Sequence, residues 1–355
     1  MTHPAQTAPP VGFEGTITPV ARHDPDGRAR VRPGDSPDLA DRIFKTTAVS
    51  SGTVVLSVMG LVGLFLTFRA LQALGVARFA FLTTQQWNPE SRKFGIAAVL
   101  FGTVLIGLTA VTIAVPLATA TALYISEYAP ARLQRTFVSV VDLMSAVPSV
   151  VYGLWGAFFL QGNVIGLSRW ISTYFGWFPL FSVTDGANPI DPSDPLSSPT
   201  AYTSSTFIAG IVVAMMITPV ISSIMREAFT QAPQGEREGA YALGATKWGM
   251  IKSVVLPFGR GGMIGGTMLG LGRALGETIA VYMIISPVFD IQWHVLQNGA
   301  ISVSALIALR YGEAPPFSLS ALFAAGLALF LMTLVVNFIA STIVARSRSG
   351  AGAEA

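Results

Sequence analysis

Six stretches of the chain are long and apolar enough to cross a bilayer, and they constrain its fold more than any other feature. They cover about residues 46–70, 95–124, 137–160, 206–230, 262–286 and 319–344, and each is nearly free of charge. A helical span needs about 20 apolar residues. Because the runs are continuously apolar and not alternating, they favour helices over barrel strands. The sequence therefore predicts an all-α integral membrane protein with six transmembrane helices.

The composition supports this class of fold. Of the 355 residues, 52% are hydrophobic and 12% are charged, whereas a soluble domain carries about 25% charged residues. This rules out a disordered chain and argues against an ordinary soluble enzyme. Cysteine is absent and the three histidines lie far apart in the sequence, so neither a disulfide framework nor a metal site is expected. Membrane lipid is expected as a partner, and nucleic acid is not.

The first residues differ in character from the rest of the chain. The first 40 contain seven prolines and no apolar periodicity, which is typical of disordered segments. They also lack the apolar run of a signal peptide. The sequence therefore predicts a disordered cytoplasmic tail over 1–41, a six-span permease-like domain over 42–345 and a short cytoplasmic tail over 346–355.

The distribution of lysine and arginine predicts the orientation of the spans. Fifteen of these residues fall in the N-terminal tail, the loops 125–136 and 226–260, and the C-terminal tail. Six fall on the opposite side, in the alternate loops or at the adjoining end of a span, and one, Arg273, lies well inside a span. Because lysine and arginine are enriched in cytoplasmic loops, we expect both termini and the 226–260 loop to be cytoplasmic. The long loop 161–205 then lies outside, with an aromatic segment suited to the membrane interface and an irregular second half.

The loop between spans four and five carries the strongest local pattern. Its spacing predicts one amphipathic helix over 236–255. The apolar stripe of this helix comprises Trp248, Ile251 and Val255. Gly244 would let another backbone approach closely, and Pro257 is expected to end the segment and turn the chain back into the membrane. Such a helix is either an anchor on the membrane surface or a segment that fits a groove of a partner protein.

This loop resembles the EAA loop of ABC importer permeases. The family pattern is Glu-Ala-Ala, three residues, Gly, nine residues and Ile-x-Leu-Pro. The residues that match at the same spacing are Glu238, Ala240, Gly244, Leu256 and Pro257. Gly239 and Val254 stand where the pattern has Ala and Ile. The resemblance implies a type I importer fold and a coupling helix that docks on a separate cytoplasmic ATPase. ATP would then bind to that partner, and no cofactor to this chain, which has no phosphate-loop motif.

Span five carries two charged residues, Arg273 and Glu277. A charge near the bilayer centre costs at least about 2.5 kcal/mol, so it needs a partner or a water-filled cavity. At i, i+4 spacing the two side chains could neutralise each other. Alternatively they mark a substrate path, where an arginine fork suits an oxyanion such as phosphate. Three glycines of the same span predict a face for close helix packing: Gly262, Gly266 and Gly270.

Two spans resemble those of phosphate-specific ABC importers. The segments are 270–278 in span five and 145–156 in span three, and Trp155-Gly156 and the long outer loop resemble PstC-type subunits more than PstA-type ones. The resemblance implies inward, ATP-driven transport of inorganic phosphate in a bacterial plasma membrane, with Arg273 and Glu277 in the phosphate path. It also implies a PstA-like second permease, a PstB-like ATPase dimer and a PstS-like external binding protein. The alternatives are a permease for sulfate or molybdate, and an ion-coupled secondary carrier.

Overall fold

The computed structural model describes residues 39–185, 188–194 and 198–348. The predicted N-terminal tail up to residue 38 and the last residues, 349–355, lie outside the described residues. The described chain divides into two units, one ending at Val58 and the other beginning at Met59. The helices are α1 (Leu39–Ala77), α2 (Ala80–Thr83), α3 (Ala97–Leu123), α4 (Ala131–Ser145), α5 (Ser149–Trp155), α6 (Gln161–Phe175), α7 (Thr206–Thr230), α8 (Gln234–Ala242), α9 (Lys247–Met250), α10 (Leu256–Leu275), α11 (Ile279–Ile284), α12 (Val303–Arg310) and α13 (Pro316–Arg348).

Short irregular helices and two hairpins complete the described chain. π-helical turns extend three of the helices, at Tyr124–Tyr128, Gly156–Leu160 and Ile251–Val255, and 3₁₀ turns lie at Pro199–Tyr202 and Tyr311–Glu313. The strands β1 (Trp87–Asn88) and β2 (Lys93–Phe94) pair antiparallel, with Trp87 opposite Phe94. The strands β3 (Thr184–Asp185) and β4 (Asn188–Pro189) also pair antiparallel, with Thr184 opposite Pro189.

Six helical segments of the described chain are long and apolar enough to cross a membrane, as predicted. They are Asp41–Ala77, Ala97–Tyr128, Ser149–Phe175, Thr206–Thr230, Lys247–Leu275 and Pro316–Ile343. At about 1.5 Å per residue, even a 25-residue segment exceeds the ~30 Å hydrocarbon core. The prediction of an all-α fold with six membrane helices is confirmed.

The predicted span 137–160 is not one continuous helix. α4 ends at Ser145, and α5 begins at Ser149 after a break that contains Pro148. Proline has no backbone N–H and disfavours helical conformation in the residue before it, which explains the break. The continuous apolar helix instead runs over Ser149–Phe175, so the first part of the predicted outer loop 161–205 is helical.

The predicted boundaries of span five and of the loop helix before it are also wrong. The helix over 236–255 is divided by a turn into α8 and α9, and Trp248 is 56% exposed whereas Ile251 and Val255 are buried. Pro257 does not end a segment, because the chain is helical throughout Lys247–Leu275. The π-helical turn Ile251–Val255 ends two residues before this proline, and such local adjustments accommodate the missing backbone donor.

α7 forms the centre of the unit that begins at Met59. Its fully buried side chains belong to one apolar cluster shared with α3 and α10. The largest of them are Ile208, Ile217, Ile221, Met225 and Phe229. The end of the bundle at which α7 ends and α8 begins is called the α8 end below.

The predicted close packing of the glycine face in span five is confirmed. A Cβ atom at Gly262 would overlap Ala228, and one at Gly270 would overlap Ile221. At Gly266 a Cβ atom would lie 3.3 Å from the carbonyl oxygen of Ile221. α10 therefore approaches α7 at a distance that larger side chains would not permit. This contact fixes the position along α7 at which the charged residues after Gly270 lie.

Candidate functional site

Arg273 lies near mid-height of the helix bundle. α10 runs antiparallel to α7, because Gly262 faces Ala228 near one end of α7 and Gly270 faces Ile221 closer to its middle. Arg273 follows three residues later, in the last turn of α10. It is therefore level with the central part of Thr206–Thr230, about 20 Å from the α8 end at 1.5 Å per residue.

Arg273 and Glu277 do not form the self-neutralising pair that their spacing allowed. The helix ends at Leu275, so the i, i+4 geometry that would bring the two side chains together is lost. Glu277 Oε1 instead accepts a hydrogen bond of 3.3 Å from the backbone N–H of Ala280. The hydroxyl of Ser304 donates to the carbonyl oxygen of Glu277 at 2.6 Å. Glu277 thus holds the break between α10 and α11, and the Arg273 side chain is exposed on the surface of this subunit.

The break in span three lies beside the break in span five. A Cβ atom at Gly153 in α5 would lie 2.9 Å from the Cα of Ala280 in α11, so the two segments are in close contact. Tyr152 directly precedes Gly153 and so lies at this contact. The hydroxyl donates to the carbonyl oxygen of Met144 at 3.1 Å, at the end of α4.

Irregular backbone at membrane depth is tolerated only where it is buried in protein or lines a water-filled cavity. Here two such breaks lie beside each other near mid-height, and the exposed guanidinium of Arg273 is on the turn that precedes one of them. A guanidinium offers a rigid fork of donors and no acceptor, and it forms strong, often bidentate hydrogen bonds with oxyanions. The arrangement is therefore chemically suited to the passage of an anion.

A second candidate site is the surface formed by α8 and the turn that follows it. α8 has no buried residue, and Leu243 in the turn is 92% exposed. Gly244 has φ +83° and no atom within 4 Å of the position of a Cβ, so its role is to permit a left-handed backbone. We expected Gly244 to allow the close approach of another backbone, but among the residues that the structure describes no such approach is present.

The guanidinium of Arg237 attaches α8 to two membrane helices. Arg237 Nη1 lies 2.9 Å from Glu127, in the π-helical turn that ends span two. Nη2 donates to the carbonyl oxygen of Phe229 at 2.6 Å, and Nε donates to that of Ala232 at 3.2 Å. The Glu127 side chain is only 4% exposed. The group of these four residues is called the Arg237 clamp below.

Comparison with known proteins identifies the family. Residues 111–349 match the family model described as the inner membrane component of binding-protein-dependent transport systems. The chain belongs to this family. Its fold resembles that of a bacterial ABC transporter involved in alginate import, with a TM-score of 0.54 and 16% identity over 87% of this chain and 98% of the other. The predicted fold of a type I ABC importer permease is thus confirmed.

Two curated relatives of this permease cover nearly all of its length. One is the phosphate transport system permease protein PstC 2 of Mycobacterium tuberculosis, 36% identical over 314 residues, which are 87% of this chain and 93% of the relative. Another is the phosphate transport system permease protein PstC of Xylella fastidiosa, 34% identical over 333 residues, which are 93% of this chain and 97% of the relative. Permeases of this family work within transport systems of several subunits, so this chain has protein partners.

The residues of the EAA-like segment, the mismatched Gly239 included, separate into two groups in the permease. Glu238, Gly239 and Gly244 are exposed on α8 and its turn. Ala240 and Leu256 pack against the apolar core, and Pro257 lies within the span-five helix. The first group is accessible to a partner protein. The second holds α8 on the bundle and connects it to the helix that carries Arg273.

The Arg237 clamp was missed by sequence reasoning. Arg237 directly precedes Glu238, within the predicted amphipathic helix, where a charged residue is ordinary. Glu127 is an acidic residue in the short loop after span two, 110 residues away from Arg237. A single sequence contains no signal that pairs two charges so far apart, although an acidic residue at the end of an apolar span is itself a reason to search for a cation.

Proposed function

We propose that this chain is the phosphate-translocating permease subunit of an ATP-driven importer. The names of its relatives, which describe phosphate transport system permeases, support the cargo. The observation that carries the proposal is Arg273, an exposed guanidinium at mid-height of the bundle, beside two breaks in the membrane helices. A translocating phosphate would exchange part of its hydration shell for the donors of this guanidinium.

The remaining subunits follow from the same proposal. A homologous PstA-like permease would close the other side of the path, and a PstS-like binding protein would deliver phosphate from outside. A PstB-like ATPase dimer would dock on α8 and supply the free energy, so that this chain is not itself an enzyme and binds no cofactor. The 15-to-6 distribution of lysine and arginine supports an orientation with α8 and both termini in the cytoplasm of a bacterial cell.

The mechanism then depends on the rigid attachment of α8. When ATP closes the two ATPase subunits, α8 moves with them, and the Arg237 clamp transmits this motion to spans two and four. The same loop continues through α9 into the helix of Arg273 without interruption. Movement of α8 would therefore change the accessibility of the Arg273 region from one side of the membrane to the other.

Gly244→Val is expected to weaken docking of the ATPase about tenfold. A β-branched residue in left-handed conformation costs more than the 1–2 kcal/mol of an ordinary residue, and 1.4 kcal/mol corresponds to a factor of ten in affinity. The measurement is the amount of ATPase that co-purifies with the permease. Gly244→Asn is the matched control, because asparagine adopts this conformation more readily, and it should retain most of the ATPase. Equal retention by both variants would contradict the role of this turn.

The cargo is tested by uptake of labelled phosphate in cells with and without this chain, in the presence of excess unlabelled phosphate, sulfate or molybdate. We expect uptake that requires ATP and is competed only by phosphate. Competition by sulfate or molybdate would be consistent with an ABC importer but would show that phosphate is not its cargo. Uptake that follows an ion gradient and needs no ATPase would favour a secondary carrier and overturn the proposal.

A further inference from the structure

A groove on the surface of the permease is not explained by transport. It has a volume of about 390 Å³ and lies between the end of α1, the short helix α2 and one face of α13. Its floor is formed by Ala324, Leu327, Ala328 and Leu331. These residues recur at the spacing of one helix face and extend for about 10 Å along the helix. They belong to the apolar segment Pro316–Ile343, so the floor is at the depth of the hydrocarbon.

One charged residue, Arg78, lines the mouth of this groove, whose other lining residues are apolar. The Arg78 side chain is exposed, and the structure records no hydrogen bond or ion pair for it among the described residues. Phe79, beside it, is 89% exposed, and exposed aromatic residues are typical of the membrane interface. The groove therefore combines an apolar floor with an available cation and an aromatic ring at one end.

The backbone of Arg78 is in a conformation that arginine rarely adopts. Its φ is +48°, and its N–H donates to the carbonyl oxygen of Leu74 at 2.8 Å. This is the left-handed position that ends many helices and is usually occupied by glycine. Glycine is abundant in this chain, with 35 residues, yet the position holds an arginine. A strained residue with an unpaired charge suggests a function for the side chain.

We propose that the groove binds one anionic phospholipid from the bilayer, with an acyl chain along α13 and the phosphate on Arg78. The guanidinium fork complements the phosphodiester oxygens. A phospholipid matches both parts of the lining, because its acyl chain is apolar like the floor and its phosphate is opposite in charge to Arg78. This proposal is independent of the cargo and of the Arg273 site.

The test is native mass spectrometry and thermal unfolding of the purified full-length chain in detergent, with added phosphatidylglycerol. Wild type should retain one phosphatidylglycerol molecule and unfold at a higher temperature with the lipid than without it, since a ligand of the native state raises stability. Diacylglycerol, which has no phosphate, should give less than a third of this shift. Equal shifts with the two lipids would overturn the role of Arg78.

Two matched variants separate the charge from the backbone. Arg78→Asn removes the charge and suits the left-handed conformation, and it should reduce lipid retention at least fivefold. Arg92→Asn is the control, because Arg92 is also exposed with positive φ, at +57°, but lies in the turn between β1 and β2 outside the groove. It should retain the lipid as wild type does. Equal retention by both variants would overturn the proposal.

A third variant tests the alternative occupant. The chain contains no cysteine, so Ala328→Cys introduces a unique thiol on the groove floor. In the assembled transporter this thiol should react with a thiol-reactive lipid probe and should not be cross-linked to a partner subunit. Cross-linking to the second permease would assign the groove to that subunit and overturn lipid binding.

Discussion

Arg273→Gln is expected to lower phosphate uptake about a hundredfold while the permease still inserts and assembles. Glutamine keeps a polar side chain, but it is two atoms shorter, has no charge and presents two N–H donors on one nitrogen instead of a fork. Each hydrogen bond to a charged group contributes about 1.5–3 kcal/mol, so the loss of two such bonds corresponds to about two orders of magnitude or more. The measurement is the initial rate of labelled phosphate uptake, normalised to the amount of permease in the membrane.

Two further variants show whether the loss of uptake is specific to the position and geometry of Arg273. Arg273→Lys retains the charge but not the bidentate geometry, and it should recover part of the lost rate. Arg260→Gln makes the same substitution on the same helix, three to four turns closer to the α8 end, at an exposed position. It should transport within about twofold of wild type, since surface substitutions change free energies by about 0.5 kcal/mol or less. Normal uptake by Arg273→Gln would remove Arg273 from the phosphate path.

The height of Arg273 explains why its charge is tolerated. An isolated arginine at the bilayer centre is unfavourable by several kcal/mol, yet its side chain has no acidic partner within the described residues. The two helix breaks supply irregular backbone at the same level, where the Tyr152 hydroxyl donates to the carbonyl group of Met144 at the end of α4. Such groups need water or protein partners. A hydrated path between this subunit and a second permease would satisfy both the backbone and the guanidinium.

The existence of the six spans could be predicted because each depends only on a long apolar run. Span four is the clearest case: the prediction 206–230 coincides with α7, which begins after Ser205, whose hydroxyl accepts the N–H of Ile208. Span three was predicted less well because the effect of a proline cannot be read from the sequence. Three prolines occur inside predicted spans. Pro116 and Pro219 lie within unbroken helices, whereas Pro148 interrupts one. Local sequence does not distinguish them, since neighbouring helices and water determine whether the freed backbone groups can be satisfied.

For the candidate site, too, the sequence predicted which residues matter but not how they are arranged. The charges of span five and the glycine of the loop were visible in the sequence, because a charge in an apolar run and a glycine at a fixed spacing are local signals. Their geometry was not visible: Arg273 and Glu277 separate because the helix ends between them. The Arg237 clamp depends on the packing of spans two and four around α7, which no local pattern encodes.

Arg237→Met is expected to destabilise the permease by about 3–5 kcal/mol, because it leaves the carboxylate of Glu127 buried without its cation. The Glu127 side chain is 4% exposed, and the guanidinium nitrogen lies 2.9 Å from it. The double variant Glu127→Met with Arg237→Met should recover most of this loss, since apolar residues of similar volume often replace a buried ion pair without cost. The measurement is the midpoint of thermal unfolding of the purified permease in detergent.

In this double variant we expect phosphate uptake to remain low although the thermal stability of the permease recovers. The double variant still lacks the hydrogen bonds from Arg237 to the carbonyl groups of Phe229 and Ala232, so α8 is no longer attached to the end of span four. We expect ATP-dependent uptake to stay at least tenfold below wild type although the folded protein is restored. Gln234→Ala, an exposed change on the same helix that removes one hydrogen bond to Glu238, should alter stability by less than about 0.5 kcal/mol. If uptake rises together with stability in the double variant, the clamp maintains the fold and does not transmit the motion of the ATPase.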